Sequence, residues 1–478
     1  MNINRENYVE KASDSASATA IPPVLWIQAS IITLGAFSTM LSSTMLSAAL
    51  PAMAKSLGVN DVSIQWIATT YLMALAAGVP VSAWAVKRFG ATRLWLCTLM
   101  LFAIFSVACA LAVNFEMLLG ARVLQGLAGG LLVPAGQTIL GLTVGRERLG
   151  RIIGTIGVAI VIAPLLGTSL GAVLIQSCGW RGLFWITVPL CVCACLVGYK
   201  LLPHPKAKNV KPLSFDWLGL AFIFCSLPML MDGMKGISLD TGKNDREFII
   251  LMLGILFACL FVWRSLRLTS PLLHLGLFKN RGFTLSALLM TLGGAVNFGG
   301  QFLLPLYFRD VGHKSLAEVG LLLTPQLIGS ATGFPLAGYF SDKLGARIVL
   351  IAGGLLTVVA TLPLTIIDAS SGYAFIAGAL AVRGFGLALA TVPAMAAGLA
   401  VAGNRHVADA APLLNILQRI GAMAGTALVT AVYVRNSQGS GSVFAFQHGA
   451  WMLTAGALGL LMAAFFMPDG AVSTAQRK

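Results

Sequence analysis

Polar residues along this chain come in short clusters separated by long apolar runs. Fourteen such runs can be marked, near 25–50, 63–86, 94–113, 117–141, 152–175, 182–202, 216–236, 248–264, 282–307, 317–340, 347–367, 373–400, 410–432 and 447–467. Each approaches the length at which a helix rising 1.5 Å per residue crosses a bilayer, about 20 residues. The pattern predicts an all-α polytopic membrane protein with 14 spans. The longest charged linker in the first half, 202–215, holds Pro203, Pro205, Lys206, Lys208 and Lys211, and divides six runs from eight. Residues 1–24 read as a polar tail, because the run that follows is too long for the apolar core of a signal peptide.

Charge adds an orientation. Of the 32 lysines and arginines, 21 fall on the loops and tails that share a side with the N-terminus, 8 on the opposite loops, and Arg122, Arg383 and Arg419 inside runs. Basic residues accumulate on cytoplasmic loops, so both termini are expected in the cytoplasm. The same asymmetry accounts for the net charge of +15 without any nucleic acid. Of the 478 residues, 57% are hydrophobic and 10% charged, and no loop is long enough to be a soluble domain. That leaves transport, sensing, or chemistry at the membrane. An enzyme would need a cluster of His or acids at one face, and the five histidines are scattered over both. A receptor or scaffold would bring a docking domain. Cys191, Cys193 and Cys195 are spaced like a metal clip, but i and i+2 do not share a helix face, so neither metal nor cofactor is expected.

Two loops look related. Val86-Lys87-Arg88-Phe89-Gly90-Ala91-Thr92-Arg93 follows the second run, and Ser341-Asp342-Lys343-Leu344-Gly345-Ala346-Arg347 follows the tenth, on the same side. Repeated halves are a common plan of secondary transporters. In the second copy Asp342 is suited to accept bonds from a helix N-terminus, and the bases to pair with carboxylates or lipid phosphates. Such a loop fits a cytoplasmic latch; an ordinary basic loop is the alternative.

The segment 338–347 resembles the loop motif of the major facilitator superfamily, and further stretches are similar to its fourteen-span drug:proton antiporter branch. These are 41–51 with Thr44 and Ala49-Leu50-Pro51, Gln65-Trp66 and Tyr71, Arg122-Val123-Leu124-Gln125-Gly126, Ala163-Pro164-Leu165-Leu166-Gly167 with Gly171, Trp180-Arg181, Val188-Pro189, Asp216-Trp217-Leu218-Gly219, and Pro305-Leu306-Tyr307. The resemblance covers about residues 25–467. It implies two six-helix bundles, 25–202 and 282–467, around a central cavity. Residues 203–281 would be a linker and two extra helices, and 468–478 a cytoplasmic tail. It also implies a monomeric multi-pass protein of a bacterial cell membrane that exports small amphipathic drugs or metabolites by proton antiport, with an unknown periplasmic adaptor as a possible partner.

The resemblance assigns proton coupling or gating to Arg122, with Asp232, Asp342 and Arg347 as further candidates. It makes Pro164, Gly167 and Gly171 a hinge or seal. Mid-membrane charge is costly, about 2.5–3.5 kcal/mol on insertion scales, so Arg122 is expected to face a partner or a polar cavity; a purely structural tie is the alternative. Candidate cavity residues are Ser42, Trp66, Tyr71, Gln125, Asn297, Gln301, Asn415 and Gln418, together with Gln137, Gln326, Phe298 and Phe302. Singly, each is as well explained by helix packing.

The chain also departs from the family pattern. Ser42 stands where the branch has an acid, Ser47 where it has Asn, and Lys87 and Ala83 where the first loop copy has Asp and Gly. A membrane acid carries protons and attracts cations. Its replacement leaves open a transporter of a specific neutral or anionic metabolite without strict proton coupling, and predicts a preference for neutral, zwitterionic or anionic ligands over dications.

Overall fold

The computed structural model describes residues 21–145, 148–203, 215–238, 245–268, 271–368, 371–437 and 441–468, and every regular element among them is a helix. The expected N-terminal tail up to residue 20, most of the linker with its three lysines, and the C-terminal tail from 469 lie outside the described residues.

The first group of helices is α1 (Pro23–Leu57), α2 (Asp61–Phe89), α3 (Ala91–Ala110), α4 (Phe115–Thr143), α5 (Leu149–Cys178), the single turn α6 (Gly182–Trp185) and α7 (Thr187–Leu201). Then come α8 (Trp217–Ser238) and α9 (Asp245–Arg267). The last group is α10 (Arg281–Leu306), the short α11 (Leu316–Leu322), α12 (Thr324–Leu344), α13 (Ala346–Thr361), α14 (Tyr373–Ser437) and α15 (Ser442–Phe465). Among the described residues, eleven helices are long and apolar enough to cross a membrane, and α5 and α8 hold shorter apolar stretches. Exposed Phe248, Ile249, Leu256 and Trp263 on α9 give that helix the apolar outer face that lipid requires.

Two boundaries differ from the sequence expectation. Pro51 does not end the first helix, which runs on to Leu57 and stops at Gly58, where φ is 68°. Residues 401–409, expected as a loop, are helical, and the chain turns at Gly403 alone (φ 62°, ψ 178°), a conformation that glycine adopts without steric cost. The related loops have matching turns: Gly90 at φ 84°, ψ 145° and Gly345 at φ 88°, ψ 151°, each stopping one helix and starting the next. Three helices open on an Asn cap, with Asn60 accepting from the amide of Ser63, Asn114 from Met117 and Asn280 from Gly282.

Packing sorts the helices. In the first group α2 and α3 pack on α4, and α1 on α5 and α7; in the last, α10, α12 and α13 pack on α14, and α15 beside them. The pair α8–α9 touches α2 on one side and α14 on the other, and an Asp216–Arg264 ion pair of 2.7 Å joins the start of α8 to the end of α9. At the end bearing Gly90 and Gly345, the basic end, one apolar core runs through both groups. It joins Ala83, Ile139, Leu149 and Ile152 to Leu289, Ala337, Val407 and Leu414. At the opposite end the cores are separate. One gathers Met45, Met53, Ile67, Leu118 and Phe184, the other Leu303, Phe308, Leu380, Val429 and Phe446.

Candidate functional site: a closed seam and three membrane arginines

The seam between the two groups is tight at the basic end. Gly150 and Gly338 let α5 and α12 approach: a methyl at Gly150 would fall 2.6 Å from Asp342 Oδ1, and one at Gly338 would fall 2.7 Å from the Cα of Arg151. Farther along α5, a methyl at Gly154 would come 2.6 Å from the carbonyl of Phe334, and one at Gly157 would run into the Phe334 ring. The closeness brings Asp342, near the end of α12, onto the first turn of α5. Its Oδ1 accepts from the amide of Gly150 at 3.0 Å and its Oδ2 from the amide of Arg151 at 3.2 Å. The Arg151 Nε lies 3.3 Å from Oδ2, an ion pair without hydrogen-bond alignment. A carboxylate at a helix N-terminus satisfies free amides and meets the positive end of the dipole.

The first loop copy closes the other side of the seam by a different device. Lys87, near the end of α2, donates from Nζ to Oδ1 of Asp409 on α14 at 2.6 Å. Asp409 is fully buried and its Oδ2 has no hydrogen bond; His406 Nδ1 is 3.8 Å from it. The His406 ring stacks on His274 with centroids 4.8 Å apart. Burial pushes the His274 imidazole below its ordinary value, so at neutral pH it brings no charge to the pair. Deeper in, Asn415 Nδ2 of α14 donates to Gln137 Oε1 of α4 at 2.6 Å. The sequence does not point to Asp409, and it shows Lys87 as part of the first loop copy and a departure from the family pattern.

Beyond this seam lie the arginines. Arg122 is fully buried on α4. Its Nη1 donates to Ser42 Oγ of α1 at 3.1 Å and to Gln125 Oε1 at 2.7 Å, and the guanidinium lies over the Tyr71 ring of α2, 4.0 Å from its centroid. Tyr71 is held in turn by its hydroxyl, which donates to the Thr39 carbonyl at 3.1 Å. Ser42, Tyr71, Arg122 and Gln125, which come from three different stretches of the sequence, therefore form one cluster. Arg122 Nε and Nη2 have no hydrogen-bond partner. A hydroxyl, an amide and a ring face stabilise the cation without neutralising it.

Arg383 occupies the like position in the last group. Gly126, one turn from Arg122, packs against the Tyr71 carbonyl, as Gly384 beside Arg383 packs against the carbonyl of Gln326. Arg383 is fully buried, donating to Gln326 Oε1 at 3.1 Å and to the Val296 carbonyl at 2.5 Å, with its guanidinium over Gly300. Arg419, on the second arm of α14, is half-buried, and no hydrogen bond or ion pair engages it among the described residues.

The other candidates are dispersed. Gln301 Nε2 donates to Asn297 Oδ1 at 3.3 Å along α10. Trp66 is exposed on α2, and Gln418 is half-buried on α14 with its carbonyl against Gly294. On α5, Gly167 packs against Thr44 and Gly171 against Met45, with Pro164 between them and the seam. Asp232 is exposed on α8, and Arg347 is half-buried in the first turn of α13.

The family model of the Major Facilitator Superfamily matches residues 32–426 and, in a second overlapping match, 302–477. The chain belongs to this superfamily. Among relatives, it is 29% identical over 395 residues to the Multidrug resistance protein B homolog of Mycobacterium tuberculosis (strain ATCC 25618 / H37Rv), covering 81% of this chain and 72% of that protein. It is 27% identical over 431 residues to the Multidrug export protein EmrB of Haemophilus influenzae, covering 87% and 83%. These relatives fit the drug:proton antiporter branch. The crystal structure of the human organic anion transporter MFSD10 superposes with a TM-score of 0.64 at 17% identity, over 92% of this chain and all of that one; at that identity it speaks for the fold alone. The protein is thus an integral membrane protein of a transporter superfamily whose members are not enzymes.

Proposed function

We propose that this protein exports small amphipathic molecules across a bacterial cytoplasmic membrane by alternating access, with the basic end facing the cytoplasm. The observation that carries the reading is the contrast between the ends: one continuous core at the basic end, two separate cores at the other. A two-bundle transporter that has released its cargo outward would have this shape. The latches at Asp342 and Lys87–Asp409 then break and remake in each cycle. Fourteen spans follow if α5 and α8 are counted as crossing and the two arms of α14 are counted separately. The bundles would be 25–202 and 282–467, with α8 and α9 between them. The drug-exporting relatives support export as the direction; proton antiport is the drive that the resemblance to the antiporter branch implies. The test is reconstitution in proteoliposomes: substrate moving one way should drive protons the other way, and no movement of any amphipathic substrate overturns the reading.

A second reading is favoured by one contact. Arg122 is bonded to the hydroxyl of Ser42, at the position where the branch has an acid, and among the described residues no carboxylate pairs with it. Export of a neutral or anionic metabolite without strict proton coupling is consistent with that. Flux unaffected by collapse of the proton gradient would select it.

A further inference from the structure

We propose that Arg419 is the anchor for a carboxylate on the transported molecule, so that the cargo is a small organic anion; this rests on the export reading above.

Arg419 sits near mid-membrane. At 1.5 Å per residue it lies roughly 24 Å beyond the Gly403 break and about 27 Å short of Ser437 on the second arm of α14. It also faces the first group of helices. It follows Asn415 by four residues, hence on the same helix face, and Asn415 reaches across to Gln137 of α4. Arg419 is close enough to Tyr71 on α2 to interact with it electrostatically, which places the guanidinium across the seam from the Arg122 cluster.

Its contacts differ from those of the other two membrane arginines. Arg122 and Arg383 are sealed from solvent and each has protein acceptors. Arg419 is half-buried, and among the described residues no acceptor engages it. A guanidinium carries five donors in a planar fork that matches a carboxylate with two parallel bonds. An exposed arginine would satisfy that fork with bulk water; one in the membrane interior carries a standing cost.

Among the described residues no side-chain acid is paired with it. Asp342 and Asp409 are engaged at the basic end, Asp216 with Arg264, and Asp310 with Arg309. Asp232 is exposed on α8, a helix outside both groups. The nearby Arg122 adds a second positive charge to the same region, which repels cations and attracts anions where the dielectric is low. Neutralisation therefore falls to the cargo. A neutral molecule would leave the charge uncompensated, and a quaternary ammonium would add to it.

The probe is one fluorescent scaffold in three charge states: dansylglycine, its methyl ester, and a dansyl amide of a trimethylammonium ethylamine. Export is measured with the full-length protein in proteoliposomes. Wild type should favour the carboxylate over the ester by roughly tenfold in kcat/KM, the size expected of a charge-assisted bond. In Arg419→Ala that ratio should collapse towards one, Arg419→Lys should keep part of it, and Arg419→Glu should turn the preference towards the ammonium probe. Arg419→Gln, close in size, serves if the alanine variant does not fold, as judged by gel filtration in detergent. An unchanged carboxylate-to-ester ratio in Arg419→Ala or Arg419→Gln overturns the proposal, as does wild-type preference for the ammonium probe; both leave export intact. Movement of none of the three probes by a protein that moves other amphipathic substrates overturns the proposal alone; movement of no amphipathic substrate at all overturns the export reading, and the proposal with it.

Discussion

Lys87 and Asp409 are 322 positions apart in the chain and meet at 2.6 Å across the seam. Asp409 is fully buried, and the groups that face its carboxylate are Lys87 and His406. Removing one partner of a buried pair leaves an uncompensated charge that costs about 3–5 kcal/mol. Lys87→Asp and Asp409→Lys should each disfavour the closed basic end and slow export roughly tenfold or more. The double exchange should recover most of the rate. Export assays on the three variants check this, and a double exchange no better than the singles refutes a direct pair.

Asp342→Asn keeps the size of the side chain but not its charge. One oxygen can still accept from the amide of Gly150 or Arg151, while the dipole term and the Arg151 ion pair are lost. The maximal rate should change several-fold with little effect on the substrate concentration at half-maximal rate. Altered affinity at an unchanged rate would place Asp342 in substrate binding instead.

Gly157 faces the Phe334 ring with no room for a side chain. Gly157→Leu should hold the basic end apart and stop export in a protein that still purifies as a single species. Shrinking the ring by Phe334→Ala in the same chain should restore part of the activity. If Gly157→Leu exports normally, closure at this point is not part of the cycle.

Arg122→Ala removes the cation from the Ser42–Tyr71–Gln125 cluster and should abolish or uncouple export, whereas Arg122→Lys should keep part of it. Lysine retains the charge over the Tyr71 face but cannot supply the fork of donors that reaches Ser42 and Gln125. Proton and substrate fluxes, measured separately in proteoliposomes, distinguish uncoupling from loss. Wild-type behaviour of the alanine variant would make Arg122 a packing residue.

The helices were legible because a membrane demands long apolar runs and internally bonded backbone, and both requirements act within a single stretch of chain. Gly90 and Gly345 could be read as related turns for the same local reason. Gln125 beside Arg122 follows from a three-residue helical spacing. The role of Lys87 was not legible. As a base in a basic loop it needs no explanation, and Asp409 stands one residue outside an apolar run, where an acid is ordinary. Only folding brings them together. The helical course through 401–409 is hidden in the sequence because Asn404, Arg405 and His406 read as a polar loop, whereas one glycine, Gly403, makes the whole turn.

Half of the gate is made of main chain, and this shapes where mutation does harm. The amides that receive Asp342 belong to whatever residues occupy 150 and 151, so replacing Arg151 leaves its N–H in place. Gly150 brings no side-chain chemistry, yet any side chain there would strike the carboxylate and the facing helix. Genetic fragility therefore falls on residues that have no side chain to lose, and a search for inactivating substitutions should find Gly150 and Gly338 as readily as the charged residue they accommodate.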